Sequence, residues 1–312
     1  AAAVAAPRGK RGDGKRPMIL GMVTNNIDLA RVARFLRSCR RVVPVETEFH
    51  FMTDALSTGK RAEVYKAMGV TEFVYQKGAA ETGGIKPIIG RWPMMRDYMM
   101  GVHRNSTTKY SKVMFADIRD AVCQTDPFAR MTGFEGAEEA LYVFAEAAPT
   151  KKAQDGTINQ EGKNKQWVAK CYGYDGLAKV QHGIVSCAGV TVGGWEAGLK
   201  YINILSDHIL RKLGCNDQGV HNYLIYSGEL SKAIAPAALK VESNEKGWVL
   251  TVQNMIGTTM LRSKVGMVLN REGVPYAVLH QYDRSRTKLE PSLGKMYPLL
   301  ADNEVVTPMA SA

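Results

Sequence analysis

The chain has 312 residues, of which 45% are hydrophobic and 23% charged. That length and balance suit one large domain or two small ones with a sizeable core, and they exclude disorder as the main state. No run approaches the ~18 uninterrupted apolar residues of a membrane span, and the formal net charge is +11.

Five basic residues near the start (Arg8, Lys10, Arg11, Lys15, Arg16) against Asp13 give that segment +4 and leave +7 elsewhere. A basic surface favours nucleic acid, acidic lipid or phosphorylated ligands, although solubility alone accounts for such an excess. The first residue is not Met and no signal-peptide apolar core follows. The expectation is a processed product or an excised domain, with room for an upstream anchor. The five cysteines contain no C-x-x-C, so zinc ribbons and thioredoxin chemistry lack support. An odd, sparse set does not resemble a disulfide framework, although one bridge remains possible, and the pattern does not decide between a reducing and an oxidising compartment.

Residues 1–17 are Ala, Gly, Pro and basic residues and read as a flexible arm or linker. MILGMV (18–23) fits a strand buried on both faces, and Asn25, Asn26 and Asp28 supply loop and cap chemistry. Residues 29–42 read as a helix with Leu29, Val32, Phe35 and Leu36 on one face. Arg31, Arg34, Arg37 and Arg41 fall opposite, a stripe expected to be solvated. FHFMTDA (49–55) reads as a strand ending in Thr53-Asp54, residues 59–68 and 86–102 as helices, and TEFVYQ (71–76) and KVMFAD (112–117) as strands. This alternation predicts an α/β domain with a largely parallel sheet, whose ligands bind beyond the carboxyl ends of the strands.

In the second half LYVFAEA (141–147) is strand-like, and the polar, Lys-rich residues 149–165 read as an exposed loop. GIVSCAGVTVG (183–193) reads as a strand entering a glycine-rich turn. Residues 195–212 form the clearest helix, and Asp217 to Tyr226 a further one. VLTVQNMI (249–256) and PYAVLHQY (275–282) read as late strands, and the last thirty residues show no periodicity. There is no P-loop, no G-x-G-x-x-G after the first strand, no nucleophile elbow and no H-E-x-x-H.

The segment that carries chemistry is Val113-Met114-Phe115-Ala116-Asp117-Ile118-Arg119-Asp120. An apolar strand emerges into two carboxylates three positions apart. Two hard oxygen ligands suit Mg²⁺ or Mn²⁺, while a capped strand end with one Asp–Arg pair would look the same. Downstream, Gln124-Thr125-Asp126-Pro127-Phe128 reads as a turn. Gly189, Gly193 and Gly194 follow a strand, where backbone approaches a ligand closely. Asn216-Asp217-Gln218 opens a helix, and Val278-Leu279-His280-Gln281-Tyr282-Asp283-Arg284 carries a strand into His, Asp and Arg. A neutral imidazole there can complete a divalent-metal site.

Taken in order, these segments resemble nucleotide-sugar-dependent glycosyltransferases of the GT-A fold. The texture is D-x-R-D…Q-x-D-P-F followed by H-Q-Y-D-R, with Asp117-x-x-Asp120 in place of the usual D-x-D. The resemblance spans roughly residues 18–284. It implies a single large α/β domain: a Rossmann-type, mixed but mostly parallel sheet flanked by helices. The nucleotide-binding half would be 18–128, the sugar and acceptor half 129–284, and a C-terminal extension 285–312.

It further implies that Thr24, Asn25, Asn26 and Asp54 lie near base and ribose. Asp120, Asp117 and His280 would hold Mn²⁺ (or Mg²⁺) against the donor diphosphate, and Arg284 with Lys86 or Arg91 would add positive charge. Gly189 would line the donor sugar, and Asp217 and Gln218 would lie near the anomeric carbon. Asp217 is the general base if the reaction inverts and a positioning group if it retains. The implied function is metal-dependent transfer from a nucleotide sugar, a UDP-sugar, to a glycan or glycoprotein hydroxyl, with family habit pointing to the Golgi or ER lumen if the source is eukaryotic and to the cytoplasm otherwise. Nucleic acid is not an expected partner, and membrane contact would come only through an upstream anchor. The alternatives are a catalytically silent nucleotide-binding protein of this fold and a basic nucleic-acid-binding protein.

Overall fold

A computed structural model describes residues 15–75, 87–105, 109–146, 155–253, 261–285 and 289–298. Its centre is a seven-stranded sheet of β1 (Arg16–Met22), β2 (Glu48–Thr53), β3 (Val70–Val74), β4 (Tyr110–Ala116), β6 (Leu141–Ala145), β7 (Ser186–Gly194) and β8 (Leu239–Glu242). The spatial order is β3-β2-β1-β4-β7-β6-β8. β7 runs antiparallel to β4 and β6, and the other neighbours pair in parallel. The result is a mixed α/β sheet flanked by helices, as the sequence predicts.

The strands are apolar throughout because both faces are covered. Successive residues point to opposite sides, so Ile19, Phe49, Phe51 and Met114 pack beneath Val32, Phe35 and Leu36 of α1 (Leu29–Arg40). Met18, Leu20, Val113 and Phe115 face the other way. They meet Trp92, Met95 and Met99 of α3 (Pro87–Asn105) and Tyr201, Ile202 and Leu205 of α5 (Trp195–Arg211). α2 (Gly59–Ala67) connects β2 to β3. Phe35 is fully buried at the first interface, where losing its ring would cost about 3–5 kcal/mol.

A second sheet carries part of the site. β5 (Ala121–Cys123) pairs antiparallel with β12 (Val278–His280), which pairs in parallel with β9 (Val249–Thr251). The register sets His280 opposite Ala121. A short hairpin of β10 (Leu261–Arg262) and β11 (Val268–Leu269) lies between β9 and β12 in the chain.

Several expectations need correction. β1 begins at Arg16, within the segment read as an arm, and Arg16 pairs with Glu48 at 2.8 Å; residues 1–14 lie outside the described residues. The arginine face of α1 is only partly solvated. Arg34 is 3% exposed and donates to the Tyr297 carbonyl at 2.8 Å, Arg31 pairs with Asp283 at 2.9 Å, and Arg41 donates to the Met296 carbonyl at 3.3 Å. These partners surround α8 (Glu290–Met296), a helix in the segment that showed no periodicity.

Residues 149–154 of the expected loop lie outside the described residues, but residues 155–165 are ordered. Thr157 bridges to Ile184, Ile158 is fully buried, and α4 (Gly162–Val180) starts within it. α6 (Asp217–Tyr226) and α7 (Glu229–Ile234) complete the helical layer. Four of the five cysteines are paired, Cys39 with Cys123 and Cys171 with Cys215, a framework that the sparse sequence pattern does not suggest. Cys187 is buried and unpaired. Among the described residues, no helix is long and apolar enough to cross a membrane.

Candidate active site

β4 ends at Ala116, so Asp117 is the first residue beyond the carboxyl end of a central strand. Its backbone N–H still donates to the Gly189 carbonyl at 2.8 Å, which fixes the exit of the loop. Asp120 immediately precedes β5, and His280 closes β12 directly across that ladder. The two sheets thereby bring Asp117, Asp120 and His280 together, with one ligand atom from each inside 4.8 Å of the others. The spacing of three positions therefore still converges both carboxylates on one point.

His280 Nε2 stands 3.6 Å from Asp117 Oδ2 and 3.6 Å from Asp120 Oδ1. Both separations are too long for hydrogen bonds, and this buried nitrogen has no hydrogen-bond partner. An orphaned buried nitrogen is costly, and a cation shared with the two carboxylates would satisfy it. Carboxylate oxygen with imidazole suits Mg²⁺ or Mn²⁺, so the residues present fit a divalent ion. Gly189 lies directly behind this cluster. A Cβ there would overlap His280 Cε1 and come within 2.9 Å of Asp117 Oδ2.

The electrostatics match. Burial works against the Asp117 charge, but the Arg91 guanidinium, helped by His280, holds its carboxyl far below the ordinary carboxylate range. Burial also disfavours the imidazolium of His280, yet Cys187 and the carboxylates Asp117 and Asp120 raise its pKa well above the ordinary value. A site that draws a proton onto a buried histidine is one that favours positive charge. Burial pushes the Cys187 thiol up to about 11, and its sulfur lies 3.6 Å from His280 Nδ1.

Arg91, 8% exposed, lies between two of the predicted site residues. It binds Asp117 Oδ1 and reaches Asp217 Oδ2 at 3.2 Å. Trp92 Nε1 donates to the same Asp217 oxygen at 2.9 Å, and Asp217 Oδ1 accepts from the Gln218 N–H at 3.0 Å. Arg91 thus links the loop after β4 to the start of α6 instead of facing open solvent. α6 is pinned to β7 by Asn222, which exchanges hydrogen bonds with Ser186 backbone at 2.8 Å each way.

Thr24, Asn25, Asn26 and Asp54 gather at the carboxyl ends of β1 and β2. Asn25 N–H donates to Asp54 Oδ1 at 2.7 Å, and Thr24 binds Asn26 through their side chains. Arg284 is on the turn after His280, half exposed, 3.8 Å from Asp283. Lys86 lies outside the described residues.

Glu146 is a candidate site residue that sequence reasoning missed. It follows β6 as Asp117 follows β4, is 4% exposed, and accepts from Gln218 Nε2 at 3.1 Å. Burial pushes its carboxyl up, against the hydrogen bonds from Cys187 and Gln218. An acid ending a wholly apolar strand was the available signal.

No protein-family model matches the chain, and no curated protein matches it by sequence. Solved structures do match. The galactosyltransferase LgtC in complex with donor and acceptor sugar analogues aligns at TM-score 0.54 and 14% identity, over 91% of this chain and 98% of that one. An active-site variant of LgtC aligns at 0.55 and 13%, with the same coverage. The chain has the GT-A fold. In this GT-A frame the acidic loop after β4 and the late histidine converge beyond the carboxyl end of β4, the side on which open α/β sheets bind ligands.

Proposed function

We propose that the chain is a metal-dependent glycosyltransferase that moves a sugar from a UDP-sugar to a hydroxyl of a glycan or glycoprotein. One observation carries this reading: Asp117, Asp120 and the unpartnered His280 Nε2 converge beyond the carboxyl end of β4 in a GT-A fold. The match to LgtC solved with donor and acceptor sugar analogues supports it. Two disulfides support an oxidising compartment such as the secretory lumen.

Asp117, Asp120 and His280 would hold Mn²⁺ (or Mg²⁺). When bound, the ion supplies Lewis-acid neutralisation of the departing nucleoside diphosphate. Thr24, Asn25, Asn26 and Asp54 bind base and ribose from the first half of the domain. Arg284 adds positive charge beside the diphosphate. Arg91 acts from behind, keeping Asp117 ionised and locking Asp217. Gly189 leaves the room that His280 occupies.

Asp217 and Gln218 face the anomeric carbon from the second half. Both Asp217 oxygens already accept hydrogen bonds, from Arg91 and Trp92 on one side and Gln218 N–H on the other. That supports a positioning role over proton abstraction, and so favours retention. The Gln218 side chain would steady an oxocarbenium-like centre as the bond to diphosphate lengthens.

Hydrolysis of a panel of nucleotide sugars, with Mn²⁺ and with EDTA, tests the reading. It predicts cleavage of one UDP-sugar in the presence of metal alone. Mn²⁺-dependent UDP binding with no cleavage of any donor would favour a silent nucleotide-binding protein.

A further inference from the structure

Gln218 is held through its amide nitrogen. Nε2 donates to Glu146 Oε2 at 3.1 Å and to Asn164 Oδ1 at 3.0 Å. A primary amide has two N–H donors, so both are committed. Asn164 accepts at Oδ1 because its own nitrogen is drawn the other way: Nδ2 donates to Glu161 Oε2 at 2.9 Å. Glu161 is the N-cap of α4, and the same Oε2 accepts the backbone N–H of Asn164 at 2.8 Å. That oxygen is therefore an acceptor twice over.

The order of atoms along this relay has one solution. Glu161 turns the Asn164 nitrogen toward itself, which turns Oδ1 toward Gln218. Asn164 Oδ1 and Glu146 together claim Nε2. What remains at the free end of the Gln218 amide is its carbonyl oxygen. Asn164 is 2% exposed and Glu146 4%, so solvent does not compete for these bonds.

We infer that Glu161 and Asn164 are positioning residues that fix the Gln218 amide so that its carbonyl oxygen, and not an N–H, faces the sugar. The inference rests on the reading of Gln218 as a neighbour of the anomeric carbon. A carbonyl oxygen supports positive charge developing there, and an N–H would oppose it. A flipped amide would also aim its oxygen at two acceptors, Glu146 and Asn164 Oδ1. The first turn of α4, which reads as part of an exposed loop in the sequence, thereby reaches Gln218.

The test pairs a loss with a restoration. Asn164→Leu removes the acceptor. The metal-dependent turnover number for donor hydrolysis should fall about tenfold or more, with KM for the donor within about twofold. In protein labelled with [15N]glutamine, the Gln218 side-chain amide, identified by its loss in Gln218→Glu, should exchange its protons faster. The double variant E161Q/N164D reverses the side-chain link, and the backbone N–H of residue 164 passes from the carboxylate oxygen to the carbonyl oxygen of the introduced amide. The introduced amide donates to the introduced carboxylate, which still accepts from Gln218. Turnover and slow exchange should both return.

The double variant is nearly isosteric with the wild type and stays informative if the leucine variant does not fold. Wild-type turnover and unchanged exchange in Asn164→Leu, or a double variant no better than that loss, would overturn the inference. Absence of donor hydrolysis by the wild type would instead count against the glycosyltransferase reading, and amide exchange would still decide the relay.

Discussion

His280 Nε2 lies 3.6 Å from Asp120 Oδ1 because His280 faces Ala121 across the β5–β12 ladder, and Asp120 is the residue before Ala121. Two metal-ligand candidates 160 positions apart thus ride on one ribbon, while Asp117 arrives from β4 of the main sheet. Asp120→Asn and His280→Ala should each lower metal-dependent turnover by about a hundredfold or more, the scale of losing a key electrostatic contact. Circular dichroism should show an unchanged fold. Wild-type-like turnover in either variant would remove that residue from the ligand set.

Gly189 tests how tightly the histidine is seated. An alanine Cβ would overlap His280 Cε1 and lie 2.5 Å from Nε2. Gly189→Ala should therefore weaken Mn²⁺ binding, read by electron paramagnetic resonance, and cost about 1–3 kcal/mol of stability by overpacking. An unaltered Mn²⁺ affinity would show that the ring relocates without consequence.

Glu146 gives a pH dependence with a definite sign. Burial raises its carboxyl pKa in the folded chain above the ordinary 4.5. The folded state then binds more protons than the unfolded state, so stability falls as pH rises from about 4.5 through the raised value. Glu146→Gln removes that cost and keeps an acceptor for Gln218. Its Tm should exceed that of the wild type at pH 7 to 8, the difference should shrink toward pH 4, and turnover should drop. A Tm difference independent of pH would contradict the assignment.

The disulfides sit beside the site. Cys123 ends the strand that follows Asp120, and Cys215 is two residues before Asp217. The bridges span sequence separations of 84 and 44 residues, worth about 4 kcal/mol each on the chain-entropy account. Reduction should lower Tm sharply, and thiol labelling of the unreduced, denatured chain should mark Cys187 alone. Labelling of three or more cysteines would show that a bridge is missing.

Much of this was legible in local pattern. Strands such as MILGMV and KVMFAD announce themselves by unbroken apolar runs, and the helix from Trp195 by a clear stripe. Asp117, Asp120 and His280 were legible because each follows or ends such a strand. What escaped depends on partners far away in the chain. The arginines of α1 read as a solvated face because Asp283 and the Met296 and Tyr297 carbonyls lie about 250 residues on. α4 was missed because its backbone breaks at Gly173, with φ 70°, which interrupts the helical period. Asn164 carries no signal at all in sequence; its role exists only through Glu161 and Gln218.

The most direct test of the central claim is a calorimetric titration of UDP into the protein with Mn²⁺ and with EDTA, for the wild type and for His280→Ala. The account predicts one Mn²⁺ per chain, UDP binding that strengthens at least tenfold with metal, and loss of that gain in the variant. UDP affinity indifferent to EDTA and to His280→Ala would contradict it.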